Sequence, residues 1–145
     1  MVNQDFIFTP GFWLGEGKIT FSASSEFLKY YTRWEIAILA PGMMTAVQTV
    51  EMQGVEEHVV NTFTFSYIKP ASFSACLENQ IVGKISGSGL RDERIIAWEF
   101  RGQLAFEGFE VYEKQENGDY FIHAGYGSPS QYRTIIEGLV WRKGS

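Results

Sequence analysis

Hydrophobic and polar residues alternate with a period of two along nearly the whole chain. The segment NTFTFSYI sets Phe63, Phe65 and Tyr67 on one face and Thr62, Thr64 and Ser66 on the other. That is the spacing of a half-buried strand, written in β-favouring residues. FLKYYTRWEIAIL places Leu28, Tyr30, Thr32, Trp34, Ile36 and Ile38 opposite Lys29, Arg33 and Glu35. RIIAWEF and RTIIEGLVW are rich in Ile, Val and aromatic residues. No stretch carries a helical stripe capped at both ends.

Turn signals punctuate these runs, among them SASS at 22–25, APG at 40–42, KP at 69–70 and ENGD at 116–119. Asn117-Gly118, between FEVYEK and DYFIHAGY, reads as a two-residue hairpin turn with positive φ at both positions. The runs predict about ten strands, at 12–21, 27–39, 43–52, 57–68, 72–77, 81–89, 94–100, 103–114, 119–127 and 132–142. Ten antiparallel strands leave a sandwich or a closed barrel. Several runs are longer than most sandwich strands. Glycines also fall inside runs, for example Gly15, Gly17, Gly108 and Gly138, where they ease the coiling that closure requires. The expected fold is therefore an all-β, antiparallel up-and-down β-barrel forming one domain over 1–145, with Phe6, Ile7 and Phe8 covering an open end.

Composition narrows the partners. The chain is 45% hydrophobic and 16% aromatic, which suits a packed globular core rather than a disordered segment. A net charge of −5 with scattered Lys and Arg excludes the basic stripe of a nucleic-acid binder and disfavours an anionic membrane surface. The lone cysteine, Cys76, allows no intramolecular disulfide, and MVNQDFIFTP does not read as a signal peptide. No apolar run is long enough for a spanning helix. A cytoplasmic location is expected.

The stretch GFWLGEG at 11–17 crowds three glycines around Trp13, a pattern that lets neighbouring backbones approach a large apolar plate. GFW at the start of the first long run resembles the Gly-x-Trp signature of the lipocalins and wider calycins. The resemblance implies that Trp13 plugs one barrel end and that Arg142, in LVWRKG at the end of the last run, packs across it as barrel closure. It also implies a fatty acid, a tetrapyrrole or another lipid-like metabolite as ligand. FWLGEGKITF is similar to the opening of nitrobindin-like ten-stranded barrels, which implies haem held by a histidine near the C-terminal end. His58 and His123 are the two histidines.

Candidate chemistry is sparse. There is no Cys-x-x-Cys or His-x-His, and Glu56, Glu57 and His58 point alternately in a strand, so no metal site is expected. SGSGL at 86–90 and GYGSPS at 125–130 read as hairpin bends rather than nucleophile elbows. Arg33, Glu99 and Arg133 are expected on the outer face. In DYFIHAGY, Phe121, His123 and Gly125 share one face and Tyr120, Ile122, Ala124 and Tyr126 the other. With the first set inward, His123 becomes a polar group in an apolar cavity. Twelve Phe, seven Tyr and four Trp suit a cavity for a flat or apolar ligand. The expected function is non-catalytic binding of a small hydrophobic or aromatic molecule by Tyr30, Trp34, Phe63, Phe65, Tyr67, Trp98, Phe121 and His123. The alternatives are a haem protein with His123 as axial ligand, a calycin-type isomerase or chromophore lyase pairing His123 with a carboxylate, and a barrel filled by its own side chains.

Overall fold

The computed structural model describes residues 5–22, 26–103, 106–127 and 133–144. They form ten strands: β1 (Gly11–Phe21), β2 (Phe27–Ala40), β3 (Met43–Met52), β4 (Val59–Ser66), β5 (Ser72–Asn79), β6 (Gly83–Arg91), β7 (Ile95–Gln103), β8 (Phe106–Lys114), β9 (Tyr120–Gly127) and β10 (Thr134–Arg142). Each strand pairs antiparallel with its sequence neighbour. β10 pairs with β1, from Trp13 opposite Arg142 to Phe21 opposite Thr134, and closes the barrel. The fold is the expected up-and-down barrel, and the ten described strands leave no free sheet edge.

Alternation decides what faces inward. In β2, Tyr30, Thr32, Trp34 and Ile36 are buried while Tyr31, Arg33 and Glu35 are exposed. The interior side chains are mostly aromatic and aliphatic, whereas the outer face carries most of the charge.

One end of the barrel is plugged. Residues 6–9 turn under it and push Phe6 and Ile7 fully out of water. The Phe6 ring meets Trp13, Trp34, Tyr112 and Tyr120 at centroid distances of 5.2, 4.9, 4.8 and 5.8 Å. Burying Phe6 and Ile7 contributes about 1.5–3 kcal/mol each, enough to hold Ile7 at φ 65°, a left-handed conformation unusual for a β-branched residue. Lys114 Nζ ties the lead-in down through Asp5 at 3.2 Å, and the Arg91 guanidinium lies 3.9 Å over the Phe8 ring. Above the plug a stack of rings runs from Trp34 through Phe63, Phe65 and Trp98 to Tyr112, with successive centroids 5.6, 5.8, 5.2 and 5.1 Å apart.

The glycines of β1 allow close approach. Gly17 pairs with Gly138 of β10 and with Tyr30 of β2. A Cβ on Gly17 would run into the Glu137 carbonyl, and one on Gly138 would lie 2.5 Å from the Tyr30 hydroxyl. Bare Gly138 therefore leaves the space beside which the Tyr30 hydroxyl sits. Gly11 (φ 151°) leaves room for the Arg142 guanidinium, whose nitrogens would be 3.0 Å from any Cβ there.

Two local expectations are corrected. The Asn117-Gly118 turn is a three-residue loop: Gly118 N–H donates to the Gln115 carbonyl, Gln115 N–H to that of Asp119, and only Gly118 has positive φ. This is the type I turn with a left-handed glycine that longer hairpins use. SGSGL is strand rather than bend, because it pairs with β5 and, from Ser88, with β7; the Phe73 ring covers Gly89 and the Glu99 carbonyl lies over Gly87. Of GYGSPS, residues 128–130 lie outside the described residues.

Candidate functional site

Away from the plug, between Tyr30 and the strand ends near Met52, Val59 and Asn79, the described side chains do not fill the barrel. A cavity of about 310 Å³ remains there and reaches the solvent. Its walls are mainly apolar, with Ile19, Val50, Leu77, Ile122, Ile136 and Val140 contributed by five different strands. Trp34, Phe63 and Tyr112 form its floor. Apart from Thr32 and Thr134, its polar lining falls into two sets.

The first set is an amide ladder across β3, β4 and β5. Asn61 Nδ2 donates to Gln48 Oε1 at 2.9 Å, and Asn79 Nδ2 donates to Asn61 Oδ1 at 2.9 Å. Asn79 Oδ1 accepts from the backbone N–H groups of Ile81 and Val82 at 2.9 and 2.8 Å. Those two backbone donors fix which way Asn79 points, and the amides beyond it follow.

The second set centres on Glu110 of β8. The register places it between Trp98 of β7 and Ala124 of β9, with only 4% of it exposed. Its carboxyl accepts from the Tyr112 hydroxyl at 2.5 Å and from the Tyr126 hydroxyl. Burial pushes the Glu110 carboxyl up to about 7, against a downward pull from the two hydroxyls and a smaller one from the Trp98 indole. That indole N–H has no well-aligned hydrogen-bond partner among the described residues. Burial and the field of Glu110 also raise Tyr30, Tyr112 and Tyr126, so all three keep their protons at neutral pH. The Tyr30 hydroxyl borders the cavity, is buried and has no hydrogen-bond partner among the described residues.

Of the residues expected to face a ligand, Tyr30, Trp34 and Phe63 border the cavity, while Phe65 and Trp98 are buried in the ring stack. Three others are corrected. Tyr67 lies just past the end of β4, at φ 49° and 77% exposed, because the strand stops at Ser66. Phe121 and His123 face outward, because Tyr120, Ile122 and Ala124 take the inner face of β9. His123 Nδ1 sits 3.8 Å from Glu137 Oε2, and its ring lies 5.7 Å from that of Phe109. Both are outer-face contacts, so the expected pairing of His123 with an interior carboxylate does not form.

Trp13 is buried at the plugged end, packed edge-on against Phe6 and Tyr120. Arg142 pairs with it across β1 and β10, but the guanidinium lies against Gly11. Among the described residues Arg142 makes no cation–π contact with Trp13.

His58 is also exposed, so neither histidine reaches the interior and the cavity does not fit a histidine-ligated haem. Among the described residues no group of three His, Cys, Asp or Glu side chains is placed to hold a metal ion. No helix among them is long and apolar enough to cross a membrane.

Glu110, Tyr112, Tyr126 and the amide ladder are interior groups that sequence reasoning missed. A usable signal existed in DYFIHAGY, where Tyr120, Ile122, Ala124 and Tyr126 carry more apolar bulk than Phe121, His123 and Gly125. Choosing that face as the inner one also brings Glu110 inward, since β8 and β9 pair Glu110 with Ala124. No protein-family model and no curated protein sequence matches the chain.

Proposed function

We propose that this protein binds one small, mostly apolar molecule in the open half of its barrel, without acting on it chemically. The observation that carries the reading is the cavity of about 310 Å³. It is at the small end of the range for ligand sites and has their usual make-up, apolar walls with a few converging polar groups. The packed rings and the Phe6 plug close the other end, so among the described residues entry is from the open end. Kinship with the calycins belongs to the same reading, supported by the closed barrel and by Gly11-Phe12-Trp13 beside the plug. A cytoplasmic location also belongs to it. The charged outer face and apolar interior are the reverse of a membrane-spanning barrel with a lipid-facing exterior and a watery lumen.

The test is a fluorescence titration with the neutral probe N-phenyl-1-naphthylamine, exciting the buried tryptophans. Trp34 borders the site, so energy transfer to bound probe is expected, saturating at one probe per chain. Val50→Trp, which fills the cavity from β3, should abolish the signal while circular dichroism shows the barrel intact. Absence of binding, or equal binding by Val50→Trp, overturns the proposal.

A further inference from the structure

We propose that the ligand is a small organic cation, an alkyl or aryl ammonium, whose positive nitrogen lies against Glu110 and whose apolar body extends toward the mouth of the barrel. The inference rests on the carrier reading and names the class of molecule carried.

Glu110 is the one charged side chain buried among the described residues. Two hydroxyls donate to it, yet each carboxylate oxygen has two lone-pair directions, so both oxygens can accept more. An ionised carboxylate removed from water is costly unless a positive charge answers it. Among the described residues none is placed to do so. The ion pairs among the described residues use other carboxylates. Arg91 and Arg142 are engaged at the plugged end, on Phe8 and against Gly11.

The surroundings of Glu110 suit a cation. Trp34, Phe63 and Tyr112 present aromatic rings to the cavity, and the faces of such rings attract positive charge. The unpartnered Tyr30 hydroxyl belongs to the same cluster and can accept from an ammonium N–H. The overall charge of −5 favours approach of a cation. A fatty-acid carboxylate would meet Glu110 as a like charge, and a neutral hydrocarbon would leave the carboxylate unanswered.

The groups facing Glu110 are Tyr112 on its own strand, Tyr126 from β9, Trp98 from β7 and Tyr30 from β2. All three tyrosines stay protonated near neutrality, which leaves Glu110 as the group that titrates. Affinity for a permanent cation should therefore fall as pH drops below about 7.

The experiment compares benzyltrimethylammonium, its uncharged carbon isostere neopentylbenzene, and phenylacetate as displacers of N-phenyl-1-naphthylamine at pH 8 and pH 5.5. At pH 8 the cation should displace the probe roughly tenfold or more better than the isostere. The advantage should shrink at pH 5.5 and vanish in Glu110→Gln, which should still bind the neutral probe. Equal displacement by cation and isostere, preference for phenylacetate, or an unchanged ratio in Glu110→Gln overturns the proposal. If the probe binds and the cation shows no advantage, the ligand class alone falls. If nothing binds, the carrier reading falls with it.

Discussion

Replacing Glu110 with glutamine should flatten one component of the dependence of stability on pH. In the folded protein burial raises the carboxyl to about 7, against an ordinary value of 4.5. Between those values the native state holds a proton that the unfolded chain has lost. Stability is therefore greatest at or below about pH 4.5 as far as this group is concerned, and it declines as pH rises until the native carboxyl has also ionised. The gap corresponds to about 3 kcal/mol, from roughly 1.4 kcal/mol for each pH unit between the two values. Glutamine has the same shape, stays neutral and can still accept from one of the tyrosine hydroxyls. The assay is urea unfolding followed by tryptophan fluorescence from pH 5 to 8.5, for wild type and variant in parallel. Other titrating groups are common to both, so the difference between the curves isolates Glu110. With a urea m-value of about 1–3 kcal/mol per molar, the midpoint difference should move by about 1–3 M in favour of the variant as pH rises. Parallel curves across the whole range would refute a buried, desolvated carboxyl at this position.

Three further outcomes follow from the packing. Phe6→Ala should cost about 3–5 kcal/mol in the same urea assay, because four aromatic rings lose their common partner; a loss below 1 kcal/mol would show that the plug is dispensable. Gly138→Ala should destabilise by roughly 1–3 kcal/mol or more, since the new methyl meets the Glu16 carbonyl and the Tyr30 hydroxyl, and a thermal midpoint equal to wild type would contradict that close approach. His123→Ala, on the exposed face of β9, should leave stability within about 0.5 kcal/mol and probe affinity unchanged; a histidine-dependent Soret band on adding haemin would contradict the outward placement.

The barrel was legible because a period of two needs only residue type and order. Segments such as 61–66 and 27–38 announce both strand and face, and the turn residues divide them where the chain does turn. The position of Phe6 and Ile7 could be read from an apolar lead-in with no strand partner. Orientation at β8 and β9 was harder. Phe109, Val111, Phe121 and His123 alternate as regularly as Glu110, Tyr112, Tyr120 and Ile122, so periodicity alone could not say which set is inside. Register settles it, because Glu110 stands opposite both Trp98 and Ala124 in the closed sheet. A buried glutamate looks like any surface glutamate until its neighbours across the sheet are known. The amide ladder was invisible for the same reason. Gln48, Asn61 and Asn79 are far apart in sequence and meet only through the pairing of β3, β4 and β5.

Methyl-resolved NMR during titration with N-phenyl-1-naphthylamine tests most directly whether the molecule is held inside the barrel. Methyl groups of Ile19, Val50, Leu77, Ile122 and Val140, which line the cavity, should shift in a saturable way, while those of exposed Ile38, Val60 and Leu90 stay fixed. Shifts confined to outer-face methyls such as Val111 and Leu139, or no shifts at all, would contradict a ligand-holding interior.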